Sequence, residues 1–318
     1  MTGMDHRSFL AAVPRADRAL LTRRSDRAGL WHLAGHLGLI VLVGAMIAGQ
    51  VPFWPLLLPV QGVLIVFLFT LQHECTHQTP FANTRLNDAV GHLCGVLILL
   101  PFVWFRYFHL AHHRWTNLPG QDPELEGGAI TTRSEWLWKV SGLPYWWAMA
   151  RTTLRLVWNR EDPTWLPDQA RPRAVREARV LVSLYALVLI SLPFAPVLLW
   201  VWLVPVVLGQ PALRLYLLAE HGDCPTVANM LANTRTTYTT AIVRFLAWNM
   251  PYHTEHHVWP AVPFHQLPAL HDRMQAHLQV TADGYAAFTR GYLARRAPLR
   301  AQGGSGKAQD RPHHGDSP

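Results

Sequence analysis

The sequence is poor in charged residues and in cysteine. Only 15% of its 318 residues are Asp, Glu, Lys or Arg, and half are apolar, which is too little charge for an ordinary soluble protein. The three cysteines have no CxxC spacing, so we expect no disulfide framework, no attached haem and no Fe–S cluster. This composition indicates a membrane protein with reduced cysteines.

Positive charge is concentrated in short stretches beside apolar segments. Arginine clusters at residues 15–27, at 171–179 and after residue 290. Such clusters are typical of the cytoplasmic side of a membrane, and no nucleic-acid-binding module is present, so we expect no nucleic-acid partner. The first 28 residues are polar and lack the pattern of a signal peptide. We therefore predict that residues 1–28 form a basic cytoplasmic segment.

Four apolar runs are predicted to span the bilayer. They cover residues 29–48, 56–71, 180–193 and 197–218. The first has the length of about 20 residues that a hydrocarbon core of about 30 Å requires. The last two form one run too long for a single span, and Pro193 and Pro196 are expected to turn it into a hairpin.

Histidine is concentrated in three short motifs. These are HECTH at residues 73–77, HLAHH at 109–113 and HTEHH at 253–257. On a helix, positions i, i+3 and i+4 share one face, so the histidines of each HxxHH motif would point the same way. Because one metal ion takes about four to six ligands, eight such histidines predict two metals. Imidazole suits Zn, Cu, Fe and Ni alike, so ligand type leaves the metal open.

Other polar residues near the motifs are candidates for the same site. His221 follows the fourth predicted span directly and is a candidate ninth ligand. Asn249 precedes His253 by four positions, which would be one turn of helix on the same face, and either completes a coordination sphere or has a helix-cap or hydrogen-bonding role. Four acidic residues are expected to accept imidazole N–H groups. They are Glu74, Glu255, Asp122 and Glu124.

The three motifs can share one site only if they lie on the same face of the membrane. A crossing by the interrupted apolar stretch at residues 86–104 would separate the first motif from the second, so we predict that this stretch is re-entrant or interfacial. The predicted fold class is all-α: a polytopic membrane protein with four transmembrane helices and a cytoplasmic helical cap carrying a histidine-rich di-metal site. Residues 29–296 would form this domain, and residues 297–318 a disordered tail.

These motifs are similar, in order and spacing, to the three histidine boxes of membrane fatty acid desaturases and the related hydroxylases and ketolases. The stretches FRYFHLAHHRWTN, DPE and NMPYHTEHHVWPAVPFHQLP resemble the desaturase branch in particular. The resemblance covers roughly residues 60–270. It implies a non-haem di-iron centre at the cytosolic membrane face, where O₂ and two electrons oxidise a C–H bond of an acyl chain or similar apolar substrate.

The resemblance carries over to named residues and partners. The implied cofactors are two iron ions, with O₂ as co-substrate, and no catalytic residue beyond the metal ligands is expected. A membrane lipid or acyl compound would be the substrate, and a separate ferredoxin-like protein the electron donor, since a basic surface attracts an acidic partner. The expected location is a bacterial cytoplasmic membrane, with both termini and the boxes in the cytoplasm; the oligomeric state is left open. The metal ligands would be His73, His77, His109, His112, His113, His221, His253, His256 and His257.

Three other functions compete with desaturation. The three-residue gap in the first box also occurs in hydroxylase and ketolase relatives, so oxidation of a lipid or carotenoid-like substrate to an alcohol or ketone is an alternative. Residues 73–77 also satisfy HEXXH, the pattern of zinc proteases. A metal transporter is a third possibility, although transport favours ligands at the bilayer midplane, whereas these motifs follow the ends of the spans.

Overall fold

The computed structural model describes residues 4–161 and 163–296. The tail predicted for residues 297–318 lies outside the described residues. The described chain is mostly helical, which agrees with the predicted all-α class. Its α-helices are, in order, α1 His6–Ala12, α2 Arg15–Leu21, α3 Asp26–Ala48, α4 Leu57–Val66, α5 Leu68–Thr76, α6 Thr84–Ile98, α7 Phe102–Trp115, α8 Arg133–Val140, α9 Leu143–Val157, α10 Arg171–Ser191, α11 Val204–His221, α12 Met230–Asn233, α13 Ala241–Leu246, α14 His253–Val258, α15 Leu267–Met274 and α16 Tyr285–Ala294.

Shorter elements connect these helices. A π-helical segment leads into α11, and two-residue strands pair in parallel within the C-terminal part. Short 3₁₀ segments lie at Trp54–Leu56, Pro123–Gly127, Phe264–Gln266 and Gln275–His277. The π-helical segment is Leu199–Leu203, and the strands are β1 Thr236–Thr237 and β2 Thr281–Ala282.

Three helical runs in the described part of the chain are long and apolar enough to cross a membrane. They are Arg15–Ala48, Trp54–Thr76 and Leu199–His221. These runs contain three of the four predicted spans, because uninterrupted apolar sequence of this length satisfies its backbone groups as a helix. Within the first run, the Ser25 side chain accepts from the Ala28 N–H and begins α3.

The predicted third span, residues 180–193, differs from the other three. Its helix α10 already begins at Arg171, so Arg and Glu side chains occupy its first half, and it is not among the three apolar runs. One of these charges has a local role: Glu177 accepts from the backbone N–H groups of Phe102 and Val103, at 2.9 and 2.7 Å, and caps α7. The helix ends at Ser191, where the turn was predicted. That α10 crosses the membrane stays a prediction.

Residues 86–104 fold as a sharp bend rather than as one helix. Helices α6 and α7 meet at 102°, the geometry of either a broken span or a re-entrant loop. Leu99 ends α6 in the left-handed region, at φ +60°, and Pro101 precedes the first residue of α7. The bend directs α7 back against α5, so that the rings of His73 and His109 lie 4.0 Å apart. The first two histidine boxes are thereby on the same side of the helix bundle.

Two glycines allow α4 and α11 to touch through their backbones. A Cβ atom on Gly62 would lie 2.1 Å from the carbonyl oxygen of Pro205, and one on Gly209 would lie 2.3 Å from the Gly62 carbonyl oxygen. Small residues at this kind of crossing are what permits close helix packing where lipid offers no hydrophobic drive. Because α5 follows α4 directly and His221 ends α11, this crossing sets where the first box and His221 lie.

The C-terminal third forms a compact layer around α14. All six residues of this short helix are buried. Glu255 accepts a hydrogen bond from Thr236 Oγ1 at 2.6 Å and pairs with His271 Nδ1, while Thr254 Oγ1 donates to the Thr234 carbonyl at 3.0 Å. These contacts tie α14 to β1 and α15. A helix of two turns, too short to be stable alone, is thus held in one orientation by its surroundings.

Candidate metal centre

All nine predicted histidines lie together in the structure. Four different parts of the fold supply them: the C-terminal end of α5, the second half of α7, the last residue of α11, and α14. Seven of the nine side chains are buried, and His77 and His221 keep partial exposure. Packing of helices far apart in sequence therefore creates the cluster.

The ring nitrogens form two groups. In each group, one nitrogen from every member lies within 4.8 Å of those of the others. His253 borders the second group, because its Nε2 lies 3.1 Å from Nε2 of His221. The first group is His73, His77, His109, His113 and His256, and the second is His112, His221 and His257.

Each HxxHH box contributes to both groups. In α7, His109 and His113 join the group of five while His112 joins the group of three. In α14, His256 joins the group of five and His257 the group of three, so the i+3 and i+4 positions exchange groups. An α-helix turns about 100° per residue, so positions i+3 and i+4 point to opposite sides of the line through position i. The expected common helix face is present, but its two edges serve different groups.

The nitrogen separations fit metal coordination. Nε2 of His77 lies 2.8 Å from Nε2 of His109, and Nε2 of His113 lies 3.2 Å from that of His256. Two imidazoles bound at right angles to a metal, with bonds of about 2.1 Å, place their nitrogens about 3 Å apart. Both ring nitrogens of His73 and Nε2 of His257 are also buried without a hydrogen-bond partner among the described residues. Buried nitrogens are rarely left unpaired without a ligand.

Protonation also favours metal binding. Burial, followed by repulsion from neighbouring imidazoles, lowers the pKa of His253, His256 and His257 well below the ordinary histidine value. These side chains are therefore neutral at physiological pH, with a free nitrogen lone pair. A metal requires that form, since it competes with protons for the same atom.

Asp122 orients His112. Both carboxylate oxygens lie 3.0 Å from His112 Nδ1, and they also accept from the backbone N–H groups of Asn117 and Glu124 at 2.7 and 2.9 Å. Burial alone would raise the pKa of Asp122, but these hydrogen bonds outweigh it and hold the pKa below the usual value. The ionised carboxylate keeps the His112 proton on Nδ1, so Nε2 faces His221 at 3.2 Å.

Two other predicted acids lie near the histidines. Glu74 places Oε1 3.5 Å from His256 Nδ1, while its Oε2 accepts from Thr79 Oγ1 and the Phe264 N–H, both at 3.0 Å. Glu124 is more distant and partly exposed, with Oε2 3.7 Å from His112 Nδ1. Glu74 is thus held firmly beside the cluster, whereas Glu124 contributes mainly charge.

The structure corrects the expectations for Glu255 and Asn249. The Glu255 carboxylate contacts Thr236 and His271 rather than a histidine of the boxes. Asn249 is not on a helix with His253, because α14 begins only at His253 and Asn249 lies in the preceding turn at φ +58°. Its side-chain amide donates to the Phe264 carbonyl at 3.0 Å. Both residues therefore stabilise the C-terminal layer.

One acidic neighbour was not predicted from sequence. Glu220 places Oε1 3.4 Å from Nδ1 of His253. Its signal in the sequence is a lone carboxylate that ends an apolar helix next to His221. Two uncharged contacts were missed as well: Thr116 Oγ1 lies 3.1 Å from His257 Nδ1, and the Asn233 carbonyl 3.2 Å from His221 Nδ1.

The histidines border a cavity of about 650 Å³. Aromatic side chains from α5 and α7 form much of its wall, namely Phe69, Trp104, Phe105 and Phe108. Both groups reach it, through His73, His109, His112, His221 and the neighbouring His253. The volume is that of a small-molecule site, and the lining is mostly apolar. The arrangement can bring a metal centre and an apolar compound together.

The sequence of the chain is similar to those of known proteins. The chain is 24% identical over 260 residues to sn-1 oleoyl-lipid 12-desaturase of Picosynechococcus sp., covering 73% of this chain and 72% of that protein. It is 26% identical over 233 residues to beta-carotene 4-ketolase 3 of Haematococcus lacustris, covering 67% and 62%. The endoplasmic reticulum omega-3 fatty acid desaturase of Vigna radiata is 36% identical over 80 residues, 24% of this chain and only 21% of that relative.

A family profile covers more of the chain than most of these relatives do. The family described as Fatty acid desaturase matches residues 51–289, from the start of the second helical run to α16. This range includes all three histidine boxes and His221. It confirms the resemblance carried by the box motifs, and the chain belongs to the fatty acid desaturase family.

Proposed function

We propose that the protein is a membrane-bound di-iron oxidase that desaturates the acyl chain of a fatty acid or lipid. The observation that carries this proposal is that two groups of histidine nitrogens border one apolar cavity. The overall reaction removes two hydrogens from adjacent methylenes and forms a double bond. Together with two electrons and two protons from a donor, these hydrogens reduce O₂ to two molecules of water.

The nine histidines would hold the metals. The group of five would bind one iron, and the group of three with His253 the other. Iron bound there would supply the O₂ activation that an unactivated C–H bond requires, since no ordinary side chain acts on such a bond. The surrounding protein orients the imidazoles through Asp122, Glu74 and Glu220. The aromatic wall holds the acyl chain and excludes water.

Topology and partners follow from the same proposal. Four spans, with both termini and the boxes in the cytoplasm of a bacterial inner membrane, would let the site receive an acyl tail from lipid and electrons from a soluble ferredoxin-like protein. Relatives named as ferredoxin-dependent acyl-lipid desaturases support that donor. Cysteine labelling from each side of the membrane tests the topology. Opposite accessibility of positions beside residues 77 and 113 would exclude a shared site.

The competing functions are less well supported. A zinc protease would need Glu74 as a general base, yet its carboxylate is fully buried and its Oε2 accepts hydrogen bonds from Thr79 and Phe264. A transporter would carry its ligands at the midplane of the spans rather than at helix ends. The ketolase relative keeps a hydroxylase or ketolase as the second candidate. Such an enzyme would share the first hydrogen abstraction with a desaturase and would differ in the product.

Metal analysis and product analysis together test the function. We expect the purified chain to carry about two irons, and a bacterial host expressing it to accumulate lipids with one additional double bond, detected by mass spectrometry. An alcohol or ketone product would instead support the second candidate function, a hydroxylase or ketolase. One zinc per chain together with peptide cleavage would contradict the oxidase proposal altogether.

Replacing Asp122 with asparagine should weaken iron binding about 10- to 100-fold, the usual effect of removing a carboxylate that orients a histidine ligand. Asparagine keeps the size of the side chain but lacks the charge that holds the His112 proton on Nδ1. Iron retention during titration with a chelator measures the effect. Glu124→Gln is the matched control, because Glu124 is farther away and partly exposed. Equal losses in both variants would show that Asp122 acts only through general charge.

A further inference from the structure

An arginine that makes no ion pair at contact distance among the described residues lines the cavity that the histidines border. Arg214 belongs to α11 and lies among the cavity residues. Its Nε donates to Gln210 Oε1 at 3.1 Å, and its guanidinium lies 4.2 Å from the ring centre of Tyr145. Its Nη2 is buried and has no hydrogen-bond partner among the described residues. Glu124 and Glu220 line the same cavity and act on the guanidinium through their charge, without a hydrogen bond to it. The Nη2 donor of Arg214 therefore lies beside the cavity without an acceptor.

An unused guanidinium donor in such a position is costly. A buried donor without an acceptor loses the hydrogen bond that water would give it, and the loss is greater for a charged donor. Ionisable residues within membrane-spanning helices are for this reason usually functional. The Gln210 and Tyr145 contacts hold the guanidinium in place without providing an acceptor for Nη2. The arrangement is that of a preformed donor awaiting an oxygen atom from a ligand.

The position of Arg214 relative to the histidines suits an elongated ligand. Arg214 precedes His221 by seven residues, so the two share one face of α11 and are separated by about 10 Å along the helix. Aromatic and aliphatic residues line the same cavity, among them Phe105, Phe108 and Leu217. A ligand that contacts both must have a polar end at Arg214 and an apolar stretch that reaches the histidines.

The helices packed beside Arg214 carry the features of a membrane interface, from which we infer that Arg214 lies near the depth of lipid head groups. The turn between α8 and α9 packs directly on α11, since a Cβ atom on Gly142 would lie 2.7 Å from Gln210 Cβ. These two helices expose large aromatic side chains, with Trp138 58% and Trp147 74% exposed. Tryptophan on the open face of amphipathic helices is typical of the membrane interface. The carbonyl end of an acyl compound lies at that depth.

We propose that Arg214 is a specificity-determining residue that donates hydrogen bonds to an acyl carbonyl oxygen of the substrate, and so sets which methylenes reach the histidines. The inference rests on the proposed function, because it takes an acyl compound as the substrate. Carboxylate and ester share this oxygen chemistry. Arg214→Met removes all donors, whereas Arg214→Gln keeps an uncharged donor.

The test is equilibrium binding to the purified full-length protein in detergent. The radiolabelled probes are oleate, its methyl ester, and heptadecene, the hydrocarbon that lacks the carboxyl group. We expect the wild-type protein to bind at least one oxygen-containing probe about tenfold or more tightly than heptadecene. Arg214→Met should abolish that preference while leaving heptadecene binding unchanged. Arg214→Gln should partly restore binding of the ester if the ester is the ligand, and should not restore binding of the carboxylate.

Several outcomes would overturn the assignment. Equal binding of all three probes by the wild-type protein would overturn the assignment without any variant. A preference for the oxygen-containing probe that is retained in Arg214→Met would also overturn it. Arg85→Met, an exposed position outside the cavity, controls for the loss of one positive charge. In the iron-loaded enzyme, Arg214→Met should also spread double bonds over more positions. If the binding results hold but no oxidised product forms, the proposed function fails while the carbonyl site stands.

Discussion

Replacing His112 with alanine is expected to abolish acyl oxidation and to remove about one of two irons. His112 belongs to the group of three histidines, so its loss leaves that group with two members and the neighbouring His253. The group of five is untouched and should keep its metal. Reduction of O₂ to two waters takes four electrons, two from the substrate C–H bonds and two from the donor, and one remaining iron is not expected to support this turnover. Iron content and lipid products measured on the same preparation test this.

His256→Ala provides the complementary case. It removes one member of the group of five and leaves four imidazoles, enough to coordinate a metal. We therefore expect activity to be lost as completely as in His112→Ala but with less loss of iron. His277→Ala is the control, since His277 lies outside both groups and contacts Phe9. Retained oxidation in either cluster variant would exclude that histidine as a ligand.

Replacing Gly62 with leucine is expected to prevent the helices from packing and to abolish accumulation of folded protein. Even a Cβ at this position would overlap the Pro205 carbonyl oxygen, which is backbone and moves only with α11. Overpacking of this kind costs about 1–3 kcal/mol or more, and a leucine side chain adds to the overlap. Separation of α4 from α11 would also displace His221. Size-exclusion chromatography and the thermal midpoint in detergent measure the effect.

Gly38→Ala is the matched control for this change. Gly38 lies in α3, and no heavy atom lies within 4 Å of the position that its Cβ would take. Alanine also favours the helix over glycine by up to about 1 kcal/mol. Gly38→Ala should therefore accumulate at least as well as the wild type. If both variants behaved alike, glycine content rather than the α4–α11 contact would explain the result.

Local patterns were sufficient to predict the histidines but not their arrangement. The i, i+3, i+4 spacing in the second and third boxes is visible in sequence, because helix periodicity is a property of neighbouring residues. The division of each box between two groups is not visible, since it depends on which helices face each edge. Glu255 shows the same limit. It lies between box histidines in sequence, yet its carboxylate points to His271 and Thr236.

By itself, the sequence determined the helical character of the chain, the three apolar runs that the structure contains, the nine clustered histidines and the family. Each depends on composition or short-range spacing. Tertiary structure alone decided that α6 and α7 meet at 102°, that Glu220 faces His253 at 3.4 Å, and that the histidines border an aromatic-lined cavity. These features join residues far apart in the chain, and their energies depend on packing that no local pattern records.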